Sequence, residues 1–371
     1  MPLTLVYPRV QFDFGAIKLL KQELAALGVK RPLFVTDKGL VQAGVFGAVR
    51  RAMDNANDLA VFDEVPENPT YEGVTRAVAA YHAGKCDGVV AVGGGSVIDT
   101  AKAVSVVATH GGTITDYIGK PEKIRPDTAP LIAVPTTAGT GSEASRGAGL
   151  HPDGESRGHG INSNYIVPRV AICDPELTFS LPPRLTAGTG MDAVGHAVEN
   201  YFAKGGNPAG DAIALDAVTR AFAHIERATA NGQDKEARYH MMMAALNAMM
   251  CGKGLGPVHA LANTFGDQGL HHGAMVTISM PAVLRSYEAR YPEKTKKLAE
   301  AMGVKSGTPA EAVTEMNDRL GIPRTIRALG YKGGDLDELA TDSHKSFFNV
   351  TAPFHPSVDE YKALVQQVLG V

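Results

Sequence analysis

The sequence predicts an α/β domain built on a parallel sheet, followed by an all-helical domain. Three observations carry this expectation. Apolar runs of strand length alternate with helical patterns through the first half of the chain. Two turns, one rich in glycine and one in threonine, directly follow two of those runs. From about Leu181 the alternation stops, and an Ala- and Met-rich helical periodicity replaces it. At 371 residues the chain exceeds the usual size of one domain, so two domains sharing a cleft are expected, residues 1–180 and 181–371, joined near residues 179–183.

The strand-like runs are PLFVT (32–36), GVVAV (88–92) and LIAV (131–134), with helical patterns over 16–27 and 71–83 between them. In the second half, PPRLTAGTGMDAVGHAVENYF opens a long helical region, and helical patterns continue through 311–320 and 358–369. No internal repeat or low-complexity tract interrupts the chain.

Composition is that of an ordinary globular protein, with 44% hydrophobic and 20% charged residues. A net charge of −3 argues against a broad nucleic-acid surface. The three cysteines, Cys86, Cys173 and Cys251, show neither zinc-ligand spacing nor a disulfide framework, which favours a reducing cytoplasm. The first residues lack a basic region followed by an apolar stretch, and no apolar run is long enough to span a bilayer. A cytoplasmic protein with no membrane partner is therefore expected.

Gly93-Gly94-Gly95-Ser96 follows the strand GVVAV and opens a helix over 100–108. Glycines let backbone N–H groups approach a phosphate, and a helix N-terminus adds partial positive charge. The usual dinucleotide fingerprint is not met, because Ile98 stands at its third glycine, and a tight ligand-free turn is the competing reading. Asp37 ends the strand PLFVT, where a carboxylate can accept ribose hydroxyls or cap the following helix; spacing alone favours the cap. The segment PTTAGTGSE (135–143) follows LIAV with four hydroxyls on a mobile backbone, which suits a polar cofactor. Asp192 and His196, four residues apart, share one helix face. His259 and His272 could add two imidazoles, and one carboxylate with three neutral imidazoles suits divalent iron or zinc. With twelve histidines in the chain, composition alone leaves packed or exposed histidines as an equal reading.

Three stretches together, GGGSVIDTAK (93–102), PTTAGTGSE (135–143) and GMDAVGHAVENY (190–201), closely resemble signatures of the iron-containing, metal-dependent (group III) alcohol dehydrogenase family. VTDKGL, VAICDPELTFSLPP and GLGPVHALANTFG extend the resemblance over most of the chain. It implies a dehydroquinate synthase-like fold: an N-terminal dinucleotide-binding α/β domain, a C-terminal helical domain, and an active site in the cleft. It further implies Asp192, His196, His259 and His272 as ligands of Fe2+ (or Zn2+). Gly94, Gly95, Ser96 and Asp99 match the pyrophosphate loop, and Thr136, Thr137 and Thr140 match cofactor-contacting positions. Asp37 matches the acid that favours NAD over NADP. The implied activity is hydride transfer between the nicotinamide and a metal-bound alcohol or aldehyde, by a homodimer or larger homo-oligomer.

Two departures stand out. Many members carry a histidine linked to proton transfer where this chain has Asn263. An amide can hydrogen-bond an alcohol oxygen but has no useful pKa for a relay, so His271, beside the last ligand, is a substitute candidate. A lysine and an asparagine common in the family are replaced by Gly158 and Gly147. Three rivals follow: a dehydroquinate-synthase-like NAD- and metal-dependent lyase, a maleylacetate-reductase-like enzyme without metal, and a catalytically silent NAD-binding protein. Retention of all four ligand positions argues against the second; a panel of alcohols and aldehydes separates the others.

Overall fold

The computed structural model describes residues 4–53, 58–153 and 157–371. Two compact units emerge, one made of the residues up to Thr137 with Gly141–Leu181, the other of Ala138–Thr140 with Pro182–Val371.

The first unit contains strands β1 (Arg9–Phe12), β2 (Pro32–Val35), β3 (Ala60–Phe62), β4 (Gly88–Gly93) and β5 (Leu131–Pro135), a short antiparallel pair β6 (Gly147–Leu150) and β7 (His159–Asn162), and β8 (Val170–Cys173). Six strands form one sheet in the order β1-β8-β5-β4-β2-β3, every pairing parallel. Its helices are α1 (Leu20–Ala26), α2 (Lys38–Gln42), α3 (Val45–Arg51), α4 (Tyr71–Ala83) and α5 (Gly95–His110). The four inner strands are buried at every residue, as continuous apolar runs require when helices cover both faces. Side chains alternate along them. Phe34, Val90, Val92, Ile132 and Val134 meet Leu20 and Leu24 of α1 and Phe46 of α3 on one face. Leu33, Val35, Val89, Ala91 and Leu131 meet Ala77 of α4 and Val97, Ile98 and Ala101 of α5 on the other. The edge strands β1 and β3, unforeseen in the sequence, are short and only partly buried.

The second unit is helical throughout its described residues: α6 (Pro183–Phe202), α7 (Pro208–Ala230), α8 (Lys235–Met250), α9 (Pro257–Thr264), α10 (His272–Arg290), α11 (Pro292–Ala301), α12 (Pro309–Arg319), α13 (Ile326–Leu329), α14 (Leu336–Lys345) and α15 (Val358–Leu369). Helix α6 is its axis, with nearly every residue from Thr186 to Phe202 buried. Two of its glycines explain how neighbours come so close. A Cβ at Gly190 would lie 2.2 Å from the Ile225 side chain of α7, and one at Gly195 would lie 2.5 Å from Val276 of α10.

Candidate active site

Helix α6 carries Asp192 and His196 one turn apart, α9 carries His259 in its first turn, and α10 begins at His272. The structure draws the first three together. Their ligand-type atoms all lie within 4.8 Å of one another, and all three residues are buried. Asp192 Oδ2 is 3.8 Å from His196 Nδ1, and Asp192 Oδ1 is 3.7 Å from His259 Nε2. The His196 and His259 rings stack with centroids 4.5 Å apart. The His272 ring stands 5.7 Å from that of His259 and is exposed, so the fourth residue flanks the cluster as its open side.

Asp192 Oδ1, His196 Nδ1 and His259 Nε2 are buried with no hydrogen-bond partner. An unpaired buried polar atom is costly, and three that face one another are a set of donors arranged for a cation. The residues present therefore fit a divalent metal ion. Electrostatics agrees. Burial opposes ionisation of Asp192, yet the His196 and His259 rings hold its carboxyl well below the usual range. His196 is pushed down to about 4 by burial, against the attraction of Asp192, so its ring is neutral at pH 7. His272 is moved the same way by desolvation on its inner side and by repulsion from His259 and His196. For His259, burial works downward, but Asp192 and Glu199 outweigh it and hold the imidazole up to about 9; a cation between the ligands would take the place of that proton.

Glu199 is the site residue that sequence reasoning missed. Its buried carboxylate accepts His259 Nδ1–H at 2.7 Å and the backbone N–H groups of Gly256, Val258 and His259 at 2.9, 2.7 and 3.3 Å. It thus caps α9 and keeps a proton on His259 Nδ1, so that Nε2, beside Asp192, is the nitrogen that would give up its proton to bind a cation. The signal was available: Glu199 follows Asp192 by seven residues and His196 by three, on the same helix face. Glu199→Gln should lower metal affinity about 10- to 100-fold with little change in helicity, read by competition with a chromogenic chelator.

Asn263 lies one turn beyond His259 on α9 and is half-buried. His271 caps α10, its Nδ1 accepting the N–H of Ala274 at 3.3 Å, and its ring sits against Gly188 of α6. Phe348, also unforeseen, lies 5.6 Å from the His259 ring, and the exposed Phe347 ring lies tilted against it at 4.1 Å.

In the first unit, Asp37 caps α2 by accepting Leu40 N–H at 2.9 Å, the role that spacing favoured. Helix α5 opens at Gly94–Gly95 without a side-chain cap. A Cβ on Gly94 would come 3.1 Å from Thr137, and Thr136 N–H donates to Gly93 at 3.1 Å, so the glycine turn and the threonine segment abut. Ser96 Oγ donates to the Glu67 carbonyl. Asp99 accepts Gly149 N–H at 2.8 Å and the Ser142 hydroxyl, which makes it a strut of the loop. Thr140 belongs with the helical unit, as do Ala138 and Gly139. There Gly139 is pressed against Thr189, and its backbone is hydrogen-bonded to the His196 ring.

Residues 8–175 match the family model described as iron-containing alcohol dehydrogenase, and residues 186–369 match the model of the C-terminal part of the Fe-containing alcohol dehydrogenase family. The chain is also 44% identical to 4-hydroxybutyrate dehydrogenase of Cupriavidus necator, over 96% of this chain and 97% of that one. The chain belongs to the iron-containing alcohol dehydrogenase family. A solved 1,3-propanediol oxidoreductase superposes on this family member with a TM-score of 0.93 at 33% identity, covering all of both chains. The sulfoacetaldehyde reductase of Bifidobacterium kashiwanohense, solved with NAD+, superposes with a TM-score of 0.89 at 28% identity over 99% of each chain. This iron-containing alcohol dehydrogenase is an oxidoreductase, an alcohol dehydrogenase or aldehyde reductase, and that reading stands over the lyase and silent-protein alternatives. The family uses a nicotinamide cofactor and a divalent metal. Among the described residues no helix is long and apolar enough to cross a membrane.

Proposed function

We propose that the chain interconverts a short ω-hydroxy acid or diol and its aldehyde, using NAD and a divalent iron held by Asp192, His196, His259 and His272. The observation that carries this is the trio of buried, unpartnered ligand atoms facing one another, on Asp192, His196 and His259. One carboxylate and three imidazoles suit iron, with zinc the alternative. Such an ion would supply Lewis acidity toward the substrate oxygen, and bound NAD would supply the hydride acceptor. The protein's part is positional. Glu199 holds His259, burial of three ligands excludes water from their side, and the exposed side at His272 admits substrate. Likeness to 4-hydroxybutyrate dehydrogenase supports the ω-hydroxy acid. Purification without chelator, metal analysis and assay of 4-hydroxybutyrate, 1,3-propanediol and 1-butanol with NAD and NADP test the proposal. A chain free of metal, or active only on unrelated alcohols, would refute it.

On the cofactor side, Gly94, Gly95 and Ser96 serve the pyrophosphate, with Asp99 bracing the loop, and Thr136, Thr137 and Thr140 supply hydroxyls. Asp37 accepts the adenosine ribose with the carboxylate that also caps α2, and it repels a 2′-phosphate. Asp37→Gly should narrow the preference for NAD over NADP about tenfold, mainly through KM, because one interaction worth roughly 1–3 kcal/mol is lost. A wild type that prefers NADPH would overturn that role.

Asn263 is proposed to hydrogen-bond the substrate oxygen, and His271 to pass the proton. His271 Nδ1, which accepts Ala274 N–H, is then the basic nitrogen of the neutral ring, so taking up the substrate proton would give up that cap bond, and Nε2–H would hand a proton on to solvent. His271→Gln should slow alcohol oxidation by about 10- to 100-fold and shift its limiting pKa, and adding Asn263→His should restore part of the rate. An unchanged pH profile in His271→Gln would leave water and the cofactor ribose as the route. A homodimer or larger assembly in the cytoplasm completes the proposal, supported on compartment by three buried free cysteines.

A further inference from the structure

A cavity of about 170 Å³ opens in the helical unit between α10, α12 and α15. It is not the metal cluster: its first wall residue along α10, Ile278, stands six residues beyond His272, roughly 9 Å at 1.5 Å per residue. The buried wall is mainly apolar, formed by Ile278, Pro281 and Ala282 of α10 and Val368 of α15. Pro281 has no N–H to give, so the Thr277 carbonyl one turn back lacks its helical partner. Asn317 of α12, also in the wall, supplies that partner: its Nδ2 donates to the carbonyl at 3.1 Å, and its Oδ1 accepts the Thr277 hydroxyl at 2.8 Å. The two helices are thereby pinned together beside the cavity, which makes it a preformed one.

The rim is different in kind. Its charged residues are Arg285 of α10 and Arg324, just after α12, and no acid lines the cavity. Arg324 lies along Asp318, its Nε and Nη2 donating to the two carboxylate oxygens at 2.8 and 2.5 Å, which fixes the plane of the guanidinium. Arg285 donates through Nη2 to Gln367 Oε1 of α15 at 3.1 Å, a neutral partner that orients the group without cancelling its charge. Two guanidiniums against one carboxylate leave the rim positive, and most of the Arg285 donors stay uncommitted. We propose that this cavity is a second ligand site, for a small carboxylate with a short aliphatic tail. A planar carboxylate matches the guanidinium fork, and the tail would lie along Ile278, Pro281, Ala282 and Val368. Neither the metal nor the nicotinamide takes part, so the site stands or falls independently of the proposed reaction.

Butyrate is the probe, with its Kd read by ligand-detected NMR titration of the metal-loaded full chain. The wild type should bind it in the millimolar range, as so small a ligand allows. Acetate should bind about tenfold more weakly, because two methylenes fewer are buried against the apolar wall. Inorganic phosphate, an anion without a tail, should also bind more weakly than butyrate. Arg285→Gln should raise the butyrate Kd about tenfold by removing a charge-assisted hydrogen bond. Ala282→Leu should raise it at least as much by filling the wall. Arg285 is exposed, so its variant decides the matter if Ala282→Leu does not fold. No butyrate binding by the wild type would overturn the proposal. Phosphate binding as tight as butyrate would overturn it too, leaving a patch for adventitious anions only. So would an unchanged Kd in folded Arg285→Gln, which would place the butyrate elsewhere, the active site included.

Discussion

His259→Ala should lose turnover by about 10³-fold or more and retain little metal, while the α/β unit stays folded. The ring stands between two buried carboxylates, 3.7 Å from Asp192 and 2.7 Å from Glu199. Its removal takes away a ligand and the group that Glu199 orients. Glu199 keeps its bonds to Gly256 and Val258, so the start of α9 persists. Asp192 fares worse, because the imidazole 3.7 Å from its buried oxygen no longer offsets its charge; leaving a buried charge uncompensated costs on the order of 3–5 kcal/mol, felt in the helical unit. Dehydrogenase assays, metal analysis and a melting curve check all three effects. A variant with wild-type metal content and rate would remove His259 from the ligand set.

Chelation should abolish activity reversibly and lower Tm. An ion that binds only the folded chain and is present at about 100 to 1,000 times its Kd contributes about 2.7–4.1 kcal/mol, all of it lost when the ion is stripped. Stability should return with divalent iron or zinc, and activity with the ion the enzyme uses. The destabilisation should be smaller in Glu199→Gln, whose affinity for the ion is already reduced. Equal Tm with and without chelator, together with full activity, would count against a metal at the site.

These effects rest on residues that differed in how readable they were. Asp192 and His196 were legible because a helix converts a four-residue spacing into a shared face. The approach of His259 depends on how α9 meets α6, which no local pattern encodes; the resemblance of GLGPVHALAN to a family signature supplied it. Glu199 lay in plain view in HAVENY, but an acid on a helix reads as a solvated residue until its burial is known. The inner strands were recognisable as unbroken apolar runs, whereas β1 (RVQF) and β3 (AVF) are edge strands with one side uncovered, too short and mixed to stand out. Asp37 carried two readings, and its geometry as a cap does not compete with ribose recognition, since a carboxylate has lone pairs for both.

The assignment of Ala138–Thr140 to the helical unit, apart from the residues on either side of them, bears on how this gene can be cut. A helical half expressed from Pro182 onward would omit Gly139, and with it the backbone partner of the His196 ring and the surface pressed on Thr189. The halves are therefore not interchangeable cassettes. Swapping helical halves between relatives to exchange substrate range should succeed only when the tripeptide at 138–140 travels with them, a graft of two segments in place of one.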